Sequence, residues 1–320
     1  MIHEISGRIP QATFAFESIP TVTPIRMSHL LSQWKPDILH AQTSKAHTHL
    51  WIARKLLNNA PPLIVSRRVA FPVSGGIWGY LKYRKGIAHY IPISQAAART
   101  LREVGVSKEM MTVVPSGIDV DVFRQSRGDQ RLLKQWGMEP EHFVIGSVAA
   151  FEKEKGHAVL LRAAQRIVSE CQGCRFVLIG EGRLRTEVDN AVTDLALNGK
   201  VVVESMRVPL ERILPLFDCF VLPSRDEGLS TALIAALASG LPVIASNVGG
   251  VPEVLTHECG ILVPPGNHEA LAAAILKLVR DRDFGKRLAE MGSRRAKEFD
   301  IGRTVKKTFE IYKQVLKERF

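Results

Sequence analysis

From Asp37 onward, short runs of apolar and β-branched residues alternate with stretches whose apolar positions recur at helical spacing. Strands covered by helices on both faces read as continuous apolar runs, so this alternation predicts strand-helix-strand units and a largely parallel sheet. The fold class expected is α/β. In the first part, strands are expected over Asp37–Ala41, Leu63–Ser66, His89–Ile93 and Met111–Val114, with helices over Lys45–Leu57 and Gln95–Val104. A polar stretch from Asp121 to Gly128 breaks the series, which places a hinge near Phe123. A helix around Gln130–Trp136 then leads into strands expected at Phe143–Ala149, Arg175–Ile179, Lys200–Glu204, Cys219–Leu222, Pro242–Ala245 and Gly260–Val263. Helices over His157–Glu170, Leu184–Leu197 and Thr231–Ala238 separate them, enough for a complete doubly wound domain.

After Pro265 the pattern is helical only, over Glu269–Val279, Phe284–Phe299 and Arg303–Phe320. The division that follows is a domain at residues 1–123, a second at 124–300, and a basic helix at 301–320. That last helix carries Arg303, Lys306, Lys307, Lys313, Lys317 and Arg319, while Val305, Phe309, Tyr312, Val315 and Leu316 recur at helical spacing. It is expected to pack back across the domains, the alternative being to lie on a membrane.

Composition narrows the class. No stretch of eighteen or more apolar residues occurs in the 320-residue chain, which excludes a membrane-spanning helix of about 20 residues. His3, Glu4 and Arg8 interrupt Met1 to Pro10, so no secretory leader is expected there, and four cysteines are too few for a disulfide framework. A cytoplasmic address follows. The net charge is +11, and residues 1–125 hold 15 Lys and Arg against 7 Asp and Glu, so the positive field belongs to the first part. Such a field suits phosphorylated small molecules or an anionic membrane face. Nucleic acid is not expected as a partner, because the basic residues are not interleaved with stacking aromatics.

Three loops at expected strand ends carry candidate chemistry. Ser224-Arg225-Asp226-Glu227-Gly228-Leu229-Ser230 leads from a strand into a helix, where free backbone N–H groups and the helix dipole favour a phosphate or a sugar hydroxyl. The competing reading is that Ser230 or Thr231 only caps the helix. Gly146-Ser147-Val148, followed by Lys153, Lys155 and Gly156, forms a second loop in which Lys155 offers a point charge to phosphate. It fits neither the P-loop nor the dinucleotide fingerprint, and a solvated turn is the alternative. Gly180-Glu181-Gly182-Arg183 is the third. A parallel sheet aligns all three along one edge.

Other signals carry less. Cys171-Gln172-Gly173-Cys174 follows a helix instead of opening one, so no dipole lowers a thiol pKa, and with Cys219 and Cys259 isolated no zinc quartet forms. Asp119 and Asp121 are read as turn residues, not metal ligands, and His40, His47 and His49 as no metal site, with a phosphate or sugar contact open to His40 or His47. Ile77 through Lys85 mixes aromatic and basic residues and could be partly buried or touch a membrane or lipid-linked acceptor.

Taken together, the chain resembles the retaining GT-B glycosyltransferases of family 4, often called glycosyl transferases group 1. The resemblance runs from about Pro36 to Val279. It is carried by Pro36-Asp37-Ile38-Leu39-His40-Ala41, Ser66-Arg67-Arg68, Ile93-Ser94, Val114-Pro115-Ser116-Gly117-Ile118-Asp119, Lys155-Gly156-His157 and Gly180-Glu181-Gly182. Pro223 through Val243, Gly249-Gly250-Val251-Pro252-Glu253 and Gly260 through Gly266 complete it. It implies two Rossmann-like domains facing a cleft, with the nucleotide-sugar donor on the second and a glycan or lipid-linked acceptor on the first.

By the same resemblance, Glu227 and Lys155 carry the chemistry, Lys155 meeting the donor diphosphate and Glu227 with the Gly228-Leu229 backbone meeting the donor sugar and phosphate. Gly146, Ser147, Glu181, Arg183 and Ser230 complete the donor side, and Ser205-Met206-Arg207 flanks the base. His40, Gln42, Arg67 and Arg68 stand on the acceptor side. Retaining transfer in this fold is ascribed to front-face attack, which needs positioning and charge stabilisation. No metal or other cofactor is expected.

The chain departs from the family pattern at four places. Ala235 stands where a second Glu usually holds the ribose, Ala149-Ala150-Phe151 stands where an Arg usually precedes the diphosphate Lys, and Gln42 stands where a His is common. The first strand and Gly-rich loop are not matched, so the N-terminal domain is expected to be shortened. The function expected is transfer of a sugar from a nucleoside diphosphate to an envelope glycan or lipid-linked acceptor at the inner face of the cell membrane. The alternative is a catalytically weak or inactive GT-B protein that binds a ligand or partner.

Overall fold

The structure is a computed structural model that describes residues 22–73 and 76–318. The reading of Met1–Pro10, the expectation of a shortened start before Val22 and the end of the last helix at Arg319 lie outside the described residues.

The first half begins with α1 (Val22–Trp34), then β1 (Leu39–Ala41), α2 (Ser44–Arg54), β2 (Leu63–Arg67), α3 (Gly76–Arg84), β3 (His89–Pro92) and α4 (Gln95–Glu103). Its strands form a parallel sheet in the order β1-β2-β3, with Leu39 beside Leu63 and Ile64 beside His89. Alternate side chains of β2 serve opposite faces. Leu63 and Val65 join one apolar cluster with Leu39, Tyr90 and Leu101, while Ile64 joins another with Ile91 and Val114.

α5 (Val120–Gln125) and α6 (Gln130–Gln135) lead to the second half. There the order is β4 (Phe143–Val148), α7 (His157–Glu170), β5 (Cys174–Ile179), α8 (Arg185–Asp194), β6 (Val201–Glu204), α9 (Leu210–Ile213), β7 (Cys219–Leu222), α10 (Thr231–Ala238), β8 (Val243–Ser246), α11 (Val251–Val254) and β9 (Ile261–Val263). The sheet order is β6-β5-β4-β7-β8-β9, all parallel. This is the doubly wound arrangement, with the reversal of strand order between β4 and β7. Phe143 and Ile145 of β4 face one apolar cluster and Val144 and Val148 the other, so helices cover both faces. Two Rossmann-like α/β units are the result.

Three helices close the chain: α12 (His268–Arg280), α13 (Arg282–Ala296) and α14 (Ile301–Lys317). The chain passes between the halves twice, and the two passages are tied together. Ile118 N–H donates to Phe299 O at 3.0 Å and Ile301 N–H donates to Ile118 O at 2.8 Å. α14 then lies on the first sheet, burying Ile311 and Val315 against Ile64 and Ile91.

Several expectations need correction. Met111–Val114 is not a full strand: Met111 makes a single bridge to Tyr90, and Val114 N–H donates to Pro92 O before Pro115 ends the pairing. The polar stretch after Asp119 opens with a helix, since the Asp119 carboxylate accepts from Val122 N–H at 3.2 Å and caps α5. α1 and α3 stand where no helix was expected.

Candidate functional site

At a strand-order reversal, the loops leaving the two central strands diverge to opposite faces and open a crevice at their carboxyl ends. Here those loops follow β4 and β7, and they carry Lys155 and Glu227. Gly156 locks them together. Its φ of +71° turns the chain into α7, and a Cβ there would lie 2.0 Å from Pro223 O, so only glycine fits. Arg225 N–H adds a bond to Glu154 O at 2.7 Å. The outcome is an ion pair, Lys155 Nζ to Glu227 Oε2 at 2.7 Å, with Ser224 Oγ donating to the same oxygen at 3.3 Å.

The pair is largely shielded, the Glu227 side chain being 10% exposed and that of Lys155 27%. Its attraction is therefore less screened than that of a surface pair. The loop after β8 supports it from behind. Gly250 N–H donates to Glu227 O at 3.0 Å, and a Cβ on Gly249 would fall 1.9 Å from that oxygen. His157 follows Gly156 and packs edge-on to Phe151; burial and the Lys155 charge hold its imidazole down to about 4.

The first half meets these loops directly. A Cβ on Gly228 would lie 2.5 Å from Arg68 O, so the turn beyond Glu227 rests against the loop that leaves β2. Glu253 of α11 reaches the start of α4, its carboxylate accepting from Gln95 N–H at 2.7 Å and Ala96 N–H at 2.9 Å. A carboxylate at a helix N-terminus satisfies orphan donors and complements the dipole. The strand ends of both sheets thus border one cleft.

The remaining expected site residues separate into groups. Glu181 and Arg183 lie in the loop after β5, which runs so close to Ala149 and Phe151 that Gly180 and Gly182 have no room for a Cβ. Arg183 bonds Glu152 at 2.9 Å and stays 86% exposed. Ser205, Met206 and Arg207 follow β6, at the outer edge of the sheet, with Met206 exposed. Leu229 is buried in the core, leaving its backbone to the cleft side, and Ser230 caps α10 by accepting from Leu233 N–H at 3.2 Å.

Gly146 and Ser147 are corrected. Both are interior residues of β4, Gly146 packed under Phe217 where a Cβ would lie 1.9 Å from the ring, and the Ser147 hydroxyl sealed without a partner. The turn begins at Ala149. Ala235 lies wholly buried among apolar side chains of α10.

Among the residues expected on the acceptor side, His40 of β1 is held by Ser66 Oγ at 2.8 Å and by Tyr312 of α14 at 2.6 Å. Burial, helped by Arg68, lowers it to about 4. Gln42 Nε2 lies 3.2 Å from His40 Nδ1. Arg67 is buried and Arg68 exposed, on successive residues at the end of β2. The structure adds Glu253 to the cleft, a residue that the sequence showed only as part of the Gly-Gly-Val-Pro-Glu run. All four cysteines are free, and burial pushes the Cys174 thiol up to about 12. Asp121 pairs with Arg124, and among the described residues no three His, Cys, Asp or Glu side chains converge as a metal-ligand set.

Comparison with known proteins agrees with this geometry. Residues 142–281 match the family model described as glycosyl transferases group 1, and residues 4–122 match that of glycosyltransferase family 4. The chain is 33% identical over 198 residues to the amylovoran biosynthesis glycosyltransferase AmsK of Erwinia amylovora, covering 59% of this chain and 46% of that protein. It spans about half the length of that relative. It is 26% identical over 307 residues, 90% of this chain and 78% of the relative, to the UDP-Gal:alpha-D-GlcNAc-diphosphoundecaprenol alpha-1,3-galactosyltransferase of Escherichia coli. Among solved structures, Anabaena HepE in complex with UDP-glucose superposes with a TM-score of 0.82 at 20% identity, over 98% of this chain and 88% of that one. The fold is the GT-B fold, and each half of the chain carries a glycosyltransferase pattern.

Proposed function

We propose that this chain is a retaining glycosyltransferase that moves a sugar from a nucleoside diphosphate to an envelope glycan or lipid-linked acceptor. One observation carries the reading: Lys155 and Glu227 meet at the point where the strand order of the second sheet reverses, facing the loops of the first. Anionic ligands of open α/β sheets sit at such crevices. The relatives are glycosyltransferases by name, one of them acting on a diphosphoundecaprenol-linked sugar.

In this reading the donor diphosphate draws on the Lys155 ammonium and on the N–H groups that open α7 and α10. Glu227 accepts from the donor sugar hydroxyls. The bond from the anomeric carbon to the diphosphate oxygen breaks while the acceptor oxygen bonds to the same face of that carbon, and the acceptor proton passes to the departing phosphate oxygen. The protein supplies position and fixed charge, without a metal. A chelator is then expected to leave transfer unchanged. Docking at the inner membrane face through the basic first half belongs to the same proposal.

Calorimetric titration with UDP, GDP, ADP and CMP tests it. One nucleotide is expected to bind saturably and to weaken about tenfold in Lys155→Ala, as for loss of a charge-assisted contact. Glu227→Ala is expected to abolish transfer with an unchanged circular dichroism spectrum; full activity would refute its role. A second reading, a GT-B protein that binds without turnover, draws on Ala235, which leaves no carboxylate for the ribose. A well-folded chain that binds no nucleotide would favour it.

A further inference from the structure

A cavity of about 310 Å³ lies beside the cleft in the first half, between the end of β2, the start of α2 and the last turn of α3. Its polar wall carries Arg67, Arg68, Lys82 and His47, and no carboxylate. This is no local accident: from Ile38 to Arg102 the chain has ten Lys and Arg and no Asp or Glu. Among the described residues, none of the three cations is paired with an acid.

Arg67 is 6% exposed. One of its terminal nitrogens donates to Phe71 O and the other only weakly to the Tyr83 hydroxyl, 3.4 Å away, while its Nε is buried with no partner. His47 is 1% exposed, and the Lys82 backbone lies close enough to favour its protonation slightly, yet neither ring nitrogen completes a hydrogen bond. Lys82 Nζ, half-buried, bonds Thr48 Oγ1 at 2.9 Å, the Ser44 hydroxyl at 3.3 Å and Ser44 O at 3.4 Å, all neutral groups. A buried guanidinium with an unspent N–H, beside an ammonium that meets only neutral groups, costs free energy unless an anion completes the set.

We propose that this cavity binds a phosphoryl group of the acceptor, with Arg67 and Lys82 as its charged ligands. The donors approach from three elements, β2, α2 and α3, which suits tetrahedral oxygens better than a planar carboxylate. Val65, Val69, Phe71 and Pro72 supply the apolar part of the lining, with the Arg67 guanidinium 5.3 Å from the Phe71 ring. That apolar part fits the hydrocarbon of a lipid phosphate, and this is the source of the phosphoryl group to which the proposal commits. The loop at Arg68 and Val69 that bounds the cavity is the one on which Gly228 rests, so the bound phosphate lies next to the turn beyond Glu227. Assignment to the acceptor rests on the transferase reading; the phosphoryl chemistry does not.

Calorimetry on the full chain separates the two. Inorganic phosphate and farnesyl phosphate are titrated into the unaltered chain, Lys155→Ala, Lys82→Gln and the double variant, each checked for folding by its thermal midpoint. Lys155→Ala is expected to keep one phosphate site that the double variant loses, with affinity down about tenfold or more. Lys82→Arg, which keeps the charge, is expected to retain it. Farnesyl phosphate is expected to bind more tightly than inorganic phosphate, and equal affinities would overturn the lipid-linked assignment. Phosphate binding that Lys155→Ala alone removes would overturn the cavity site altogether. A chain that binds phosphate through Lys82 yet no nucleoside diphosphate would sink the transferase reading and leave the cavity standing.

Discussion

Glu227 and Lys155 neutralise one another at 2.7 Å, so a diphosphate must compete with a carboxylate for the ammonium. The same carboxylate repels the incoming anion. Replacing it by a neutral isostere is therefore expected to tighten nucleotide binding while stopping transfer. Glu227→Gln should bind the preferred nucleoside diphosphate a few-fold more strongly, on the order of 1 kcal/mol, by calorimetry. Weaker binding would mean that Glu227 contacts the nucleotide itself. That the loops of Lys155 and Glu227 leave one edge of the sheet was legible in the sequence, because a parallel sheet aligns loops whose order along the chain is known. The seat of Gly146 was not, since it depends on the Phe217 ring, 71 residues away in sequence, filling the space of a missing side chain.

Elements were legible where pattern and packing agree. β4, β5, β7 and β8 are buried over nearly their whole length and read as apolar runs. α3 escaped because Gly76 and Gly79 weaken its propensity and its aromatic and basic residues show no clear apolar stripe. The link between α11 and α4 was also invisible, for it joins residues 158 apart. It has a measurable consequence. Glu253→Ala strips two charge-assisted bonds from the α4 N-terminus, which is expected to cost about 1–2 kcal/mol in a urea titration. Glu253→Gln should recover part of that, and an unchanged midpoint in both would show that the contact contributes nothing.

For the whole molecule, four histidines that are buried or half-buried, His40, His47, His89 and His157, set the histidine part of the response to acid. Burial lowers His40 and His157 to about 4 and His47 to about 3, with the neighbouring Arg68, Lys155 and Lys82 adding to the effect, and it lowers His89 as well. The unfolded chain takes up these protons near pH 6.5 and the folded one does not, so stability is full above that pH. It is lost progressively as pH falls from 6.5 toward 4, by roughly 2–3 kcal/mol for each of His40, His47 and His157. Melting temperatures recorded across that window should decline, and the decline should be shallower in His157→Gln. A flat profile would contradict the buried neutral state. The basic character of the first part was legible in the charge count, but its concentration around one cavity needed β2, α2 and α3 in place.

The paired passages at Ile118 and Asp300 bear on how the cleft moves. Two chain segments joined by reciprocal hydrogen bonds resist sliding past each other far more than bending across their common line. The joined segments form an axle, so any opening or closing of the two halves is expected to run as leaves about that line and not as a slide along it. A rotation of a few degrees there is multiplied by the lever arm out to the cleft mouth. Gly117 sits at that axle, where a Cβ would lie 2.6 Å from Thr304 Oγ1 and 2.8 Å from Ile301 Cα. A single methyl group at this position, in Gly117→Ala, meets Thr304 and the backbone of Asp300 and Ile301, and is expected to wedge the leaves apart.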